Sequence, residues 1–180
     1  MAKTKNTTQQ IRAADYTGEL KVPVYPRMTD NQGRIKAEHV LKLMDIAGGL
    51  PGFKLLAPGA LIVTGTFDRT NFKNQIWAWE IIEIQSRLTQ LWSHSFEVQV
   101  CVRANDFRKA KTREVATAYL VYVVLDENRQ ARDIPYALDL TDPNTQQLAM
   151  AADLRKANRK KETREIPFIP ITEEDQPVIV

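Results

Sequence analysis

The segment from Lys36 to Leu50 limits the possible folds of this chain more than any other. Val40, Leu41, Leu43, Met44, Ile46, Ala47 and Leu50 cover most directions around a helix axis, while Glu38, Lys42 and Asp45 fall at i, i+4 and i+7 and form one narrow polar strip. A surface helix keeps about half its circumference polar, and one that is apolar nearly all round is buried. The spacing therefore predicts a helix embedded in a core and carrying one acid, Asp45, near its C-terminal end. Gly48 and Gly49 are expected to end it, as C-terminal glycines do.

After a Pro/Gly loop from Pro51 to Gly59, strands dominate. Leu61 to Phe72 is rich in Val, Thr and Phe. Glu80 to Trp92 alternates, with Ile82, Ile84, Ser86 and Leu88 on one side. His94, Phe96, Val98, Val100 and Val102 share the next face, and Val115 to Leu125 is apolar on both faces. A strand apolar on both sides is covered on both sides. Upstream, Leu20, Val22 and Val24 predict a short edge strand around Pro23. These consecutive strands are expected to form one curved antiparallel sheet with the helix on its concave face and a partner subunit over the other. Residues 1–18 read as a flexible tail, 19–138 as the core domain, and 139–180 as a C-terminal helix and arm. Asp142-Pro143 supplies an N-cap and first helical residue, the helix to about Arg164 is expected to be largely exposed, and Ile166 to Ile171 should dock in extended form.

At 43% hydrophobic and 26% charged residues, the 180-residue chain has the means for a sizeable core. The single cysteine, Cys101, forms no internal disulfide, which argues against a secreted, stapled scaffold. Met1 to Asp15 lacks the apolar region of a signal peptide, and no apolar run is long enough to cross a bilayer, so the expected location is the cytoplasm with no membrane partner. The net charge of +3 says less than its distribution. Basic residues cluster at Arg103 to Arg113 and Arg155 to Arg164, either as solvated faces or as attractors of phosphate. Aromatic residues do not interleave with them as a stacking platform for nucleic acid requires, so no nucleic-acid partner is expected.

The chain has no Gly-rich phosphate loop, no Ser-centred nucleophile elbow and no Cys/His metal spacing. With two histidines, His39 and His94, a metal site of several imidazoles is excluded. His94 reads as a partly buried strand residue. His39 lies at the helix start, where the helix dipole disfavours its protonated form. Asp45 has two readings: a satisfied member of the polar strip paired with Lys42, or a functional acid whose costly burial serves chemistry.

The stretch Asn31-Gln-Gly33-Arg-Ile35-Lys-Ala-Glu-His-Val-Leu41-Lys-Leu-Met44-Asp45-Ile-Ala-Gly48 resembles the signature of hotdog-fold acyl-CoA thioesterases. Val63-Thr64, Asp68 to Phe72, Ser93-His-Ser95, Ala118 to Asp126 and Arg132 to Pro135 follow in the order that family shows, so the resemblance spans Met28 to Pro135. It implies an α+β hotdog fold and hydrolysis of an acyl-CoA, with coenzyme A present only as part of the substrate and no separate cofactor. It also implies a homodimer or larger assembly, such as a tetramer or hexamer, and a place in lipid metabolism. By the resemblance Asp45 matches the general base or nucleophile, its partner is an Asn or acid in the turn before the helix or across the dimer interface, which puts Asp30 and Asn31 forward, and a backbone N–H near the helix start is the donor to the thioester oxygen. Ala37, Glu38, His39, Phe72, Ser93 and Ser95 are expected to line the substrate, with Arg108, Lys109 and Lys111 of the basic turn near the nucleotide phosphates. Ala37-Glu38 replaces the family's paired glycine, and Trp79-Glu80, preceded by Trp77, replaces its Gly-Asp. Two other functions fit the same fold: a non-catalytic binding or scaffold protein, and a hydratase or dehydratase acting on acyl thioesters.

Overall fold

Strand after strand alternates between residues that face a helix and residues that face away, and this period decides the architecture. The computed structural model describes residues 9–165. Its elements are β1 (Gln9–Ile11), β2 (Thr17–Pro23), α1 (Ala37–Leu55), β3 (Leu61–Phe72), β4 (Ile81–Leu91), β5 (Ser95–Asp106), β6 (Lys111–Leu125), β7 (Tyr136–Leu138) and α2 (Pro143–Glu165). Five strands make one antiparallel sheet in the order β2-β4-β5-β6-β3, and β1 pairs with β7 in parallel. Residues 9–18 are thus a strand, a 3-10 turn and the start of β2, rather than part of a flexible tail. The apolar Ile11 explains the difference, since pairing β1 with β7 buries it. Residues 1–8 and the arm expected at Ile166 to Ile171 lie outside the described residues.

The concave face is built by Ile82, Ile84 and Leu88 of β4, by Phe96, Val98, Val100 and Val102 of β5, and by alternate residues of β6, all buried. Into it α1 presses Val40, Met44 and Ala47. Full burial of a large apolar side chain is worth roughly 1.5–3 kcal/mol, so this face alone outweighs the cost of one polar strip. The helix does not stop at Gly48-Gly49 but runs on through Pro51 to Leu55. Those glycines serve close packing instead. A Cβ on Gly48 would lie 2.4 Å from the Tyr122 hydroxyl, and one on Gly52 would lie 2.3 Å from the Phe96 ring.

The helix packs chiefly across β2, β4 and β5, leaving the β3 side of the concave face less covered. Phe67 and Phe72, opposite Leu120 and Ala116 in the ladder, share that inner face and are exposed. So are Ile46 (46%) and Phe53 (65%) on α1.

The convex face is covered at one end from within the chain, where a partner subunit was expected. Ala149, Ala152 and Arg155 of α2 form a buried stripe, although most of the helix is exposed as anticipated. Arg155 donates from Nη2 to Glu97 Oε1 at 2.6 Å, and its guanidinium lies 3.6 Å from the centre of the Tyr119 ring. Trp92 donates through Nε1 to Asp153 Oδ1 at 2.8 Å, and Arg159 bonds Asp68. Among the described residues no helix is long and apolar enough to cross a membrane.

Candidate active site

Asp45 lies on the side of α1 that faces β3 and β6. Thr64 of β3 donates its hydroxyl to Asp45 Oδ1 at 2.5 Å. Tyr122 of β6 donates to the Asp45 backbone oxygen at 2.7 Å, with Oδ1 at 3.2 Å. The ladder places Thr64 directly opposite Tyr122, so two neighbouring strands aim hydroxyls at one carboxylate. Gly48, one turn on, leaves the space into which the phenol fits. Stacking of Tyr122 on Phe96, 5.2 Å between centroids, fixes the ring. Burial pushes the Tyr122 phenol far above its ordinary range, and the Asp45 charge and hydrogen bond push the same way. The phenol therefore remains a donor. Asp45 Oδ2 accepts no hydrogen bond among the described residues, which leaves one oxygen open for chemistry. Lys42 is exposed and does not pair with Asp45, so the polar strip alone does not account for the acid.

The turn before α1 holds the next candidates. Asp30 accepts from the Arg34 amide at 3.0 Å, the Gln32 amide at 2.9 Å and Arg34 Nε at 2.9 Å. These bonds, the Arg34 amide first, hold its carboxyl below the usual range. Asp30 is occupied in shaping the turn. Asn31 is exposed and its side chain makes no hydrogen bond among the described residues. The α1 N-terminus has Lys36 at the cap with no side-chain hydrogen bond, so its first amides are not satisfied by a cap. Glu38 is mostly in water, 3.7 Å from His39 Nε2, where solvent screens its charge from the amides.

Ala37, Val40, Phe72 and Asp30 border a cleft of about 360 Å³ beside this helix end. Phe72, Asn74 and Gln75 also border a second cleft, which shares Trp77 and Arg113 with a third. The third, about 510 Å³, contains Arg108, Lys109 and Lys111. A continuous surface thus leads from the start of α1 to the β5–β6 turn. Ser93 and Ser95 are elsewhere: they shape the β4–β5 turn, and Ser95 faces a cleft with Thr66, Trp92 and Lys156 on the α2 side. His94 lies in that same turn, half exposed beside Asp133 at 3.2 Å. Sequence reading did not assign Thr64 and Tyr122 to Asp45. The available signal was a hydroxyl on each of two strands bordering the helix, Thr64 within the Val63-Thr64 pair and Tyr122 amid the apolar closing strand.

No protein-family model matches the chain. A curated relative, an acetyl-coenzyme A thioesterase from Rattus norvegicus, is 24% identical over 139 residues, which is 77% of this chain. The match covers only 25% of that relative's length. Among solved structures, an apo-hexameric acyl-CoA thioesterase superposes with a TM-score of 0.79 at 23% identity, covering 88% of this chain and 99% of the other. The acyl-CoA hydrolase of Staphylococcus aureus, solved with butyryl coenzyme A, coenzyme A and coenzyme A disulfide, superposes with a TM-score of 0.75 at 20% identity, covering 87% and 93%. Sheet order, central helix and these superpositions agree, and the chain has the hotdog fold, in the form that acyl-CoA thioesterases and hydrolases also adopt.

Proposed function

We propose that the chain hydrolyses an acyl-CoA thioester, adding water across the C–S bond to release a carboxylic acid and CoA. The observation that carries this reading is Asp45, whose Oδ1 accepts the Thr64 hydroxyl and lies 3.2 Å from the Tyr122 hydroxyl that donates to its backbone oxygen, with Oδ2 left for the reaction. Oδ2 either takes a proton from the attacking water or attacks the carbonyl itself, forming an anhydride that water then opens. The Staphylococcus aureus hydrolase has also been solved as separate alanine variants of an aspartate, a threonine and an asparagine. Asp45, Thr64 and Asn31 are the same residue types.

One chain does not complete such a site. Ala37 and Asp45 are eight positions apart on one helix, about 12 Å at the usual rise, too far for the α1 N-terminus and Asp45 to act on a single carbonyl. Two copies resolve this. The thioester oxygen sits at the α1 N-terminus of one copy, with its Asn31 beside it, and Asp45 comes from another. The uncovered apolar face between α1 and β3 borders Asp45, so the contact that buries Ile46 and Phe53 also closes the site. Homologous folds in hexameric assemblies support this reading.

The experiment is thiol release from acyl-CoAs of graded chain length. Hydrolysis liberates one thiol per turnover, dehydration or hydration liberates none, and a scaffold leaves every substrate intact. Absence of thiol release across the panel would end the hydrolase assignment.

A further inference from the structure

Large aromatic side chains stand in water on both sides of the third cleft, and hydrolysis at Asp45 does not call for them. Phe107, 69% exposed, is at the tip of the β5–β6 turn. Buried Asp106 sets the shape of this turn: its side chain accepts the Arg108 amide at 3.1 Å, and its carbonyl accepts the Lys109 amide at 3.2 Å. The Arg108 and Lys109 side chains lie 3.7 Å from the Asp106 carboxylate, beyond hydrogen-bond distance and mostly in solvent. Exposed Lys111 makes no ion pair among the described residues. The turn thus presents one apolar ring with three cations beside it.

Across the cleft, Trp79 is 65% exposed, and Trp77 is exposed too. Trp79 has φ 71, a conformation bulky residues rarely adopt. Its amide donates to the Val24 carbonyl at 2.9 Å and the Val24 amide donates to the Glu80 carbonyl at 2.8 Å, so the backbone is held while the indole stays out of the core. Buried Glu80 is gripped by Arg113 at 2.8 and 2.7 Å and accepts the Trp77 amide at 2.9 Å. A strained position kept in this way, with its ring in water, points to use of the ring rather than packing. Tyr25, next to Val24, is also exposed, with the Arg27 guanidinium 5.3 Å from the centre of its ring. Single exposed aromatics are ordinary, but rings from separate loops around one set of cations form a patch.

The chemistry of the patch selects its partner. Both carboxylates that border the cleft, Asp106 and Glu80, are buried, so the charge exposed around it is positive. Phe107 and Trp79, the most exposed of the rings, are not among the residues that line the cleft. Single-stranded nucleic acid stacks its bases on rings within a groove. Rings that flank the groove suit an apolar layer with an anionic surface. Indoles settle at the headgroup level of a bilayer, and Lys and Arg beside them meet the lipid phosphates.

We infer that this end of the molecule docks on an anionic bilayer surface, with Phe107 and Trp79 entering the headgroup layer and Arg108, Lys109 and Lys111 on the lipid phosphates. The expectation of no membrane partner followed from the lack of a spanning run, and a surface anchor needs none. Lipid vesicles carry no thioester, so this inference stands apart from the hydrolase reading.

Co-sedimentation of the full chain with vesicles tests it. Vesicles of phosphatidylcholine and phosphatidylglycerol in equal parts should retain the chain, and added salt should release it. Pure phosphatidylcholine should hold it at least about tenfold less well. Phe107→Ser should lower the partition into mixed vesicles about tenfold, and Lys109→Gln about fivefold. Trp79→Asn, whose side chain tolerates the left-handed backbone, should also lower it and remove much of the quenching of tryptophan fluorescence by brominated lipid. Equal partition into both kinds of vesicle, or unchanged partition in both Phe107→Ser and Trp79→Asn, would overturn the inference. Quenching kept in Trp79→Asn but lost in Trp92→Phe would put the bilayer against α2 and refute it, since Trp92 bonds Asp153 of that helix. Sedimentation of Phe107→Ser as a smaller species without lipid would make the patch a contact between copies. Tighter binding of an RNA oligonucleotide than of mixed vesicles would make it a nucleic-acid surface, and either result rules out the bilayer.

Discussion

Asp45 receives two hydroxyls that differ in how firmly each is set. Thr64 stands on an exposed edge strand, whereas Tyr122 is buried, stacked on Phe96 and fitted against Gly48. If Oδ2 is the base or nucleophile, Asp45→Asn should leave the circular dichroism spectrum intact and lower kcat about 10²- to 10⁴-fold with little change in KM. A folded variant with normal turnover would remove Asp45 from the chemistry. On the proposed mechanism Tyr122 is a positioning residue acting through Asp45, so Tyr122→Phe should cost about 1.5 kcal/mol in transition-state stabilisation, roughly tenfold in kcat, again without a matching rise in KM. Its phenol also carries a pH signature. The native state holds this proton to higher pH than the unfolded chain, whose tyrosines ionise near 10.0. Stability from this group is therefore complete below that value and falls as pH rises above it. In an ultraviolet titration, Tyr122→Phe should remove no phenol that ionises before alkaline unfolding. Loss of such a phenol would show that Tyr122 titrates in the native state.

At the scale of elements, α2 is fixed to the sheet by polar contacts more than by apolar area. Glu97 is fully buried and Arg155 is 6% exposed at its side chain, joined by Thr89, which donates to Glu97 Oε1 at 2.8 Å. Removing Arg155 leaves buried Glu97 with Thr89 and, 3.7 Å from its Oε2, Arg159 Nη1, so Arg155→Met should destabilise the fold by about 3 kcal/mol in urea unfolding, the low end for breaking a buried pair. Replacing both members, Glu97→Leu with Arg155→Met, should recover much of that loss. A single variant as stable as the parent would mean that the Glu97–Arg155 pair does not hold α2 on the sheet. The start of α2 was legible in the sequence, where Asp142 accepts the Thr145 amide at 2.8 Å as an N-cap does. Its docking was not, because Ala149, Ala152 and Arg155 make a stripe too narrow and too mixed to stand out.

For the whole molecule, the uncovered face between α1 and β3 is the controlling fact. An edge strand with free backbone groups and exposed Phe67 and Phe72 beside Ile46 and Phe53 is a surface another copy would cover. Ile46→Glu with Phe53→Glu should shift sedimentation toward smaller species and lower activity in parallel, since both side chains are exposed in the single chain and the fold should tolerate them. A sharper measurement follows from the proposed sharing of the site between two copies. Asp45→Asn and Asn31→Ala proteins, each weak alone, should recover about a quarter of parental activity when unfolded together and refolded, because half the dimers are mixed and each mixed dimer holds one intact site. Failure to recover any activity would place both residues in the same copy.

The buried helix and the faces of the strands were written in the order of residues, because periods of 3.6 and 2 sort apolar side chains locally whatever the chain does elsewhere. Ile82, Ile84, Phe96 and Val98 occupy the concave face for that reason. What those periods do not contain is which distant groups meet. Gly48 read as a helix end because a terminal turn and a close approach both call for glycine, and only the placement of Tyr122 against it decides between them. The acid itself was visible as a charge on an apolar helix, but its partners depend on the registration of β3 beside β6, and Tyr122 is 77 residues away. Local pattern selected the elements. Tertiary packing alone decided that two hydroxyls converge on Asp45, and that one oxygen of it is left open.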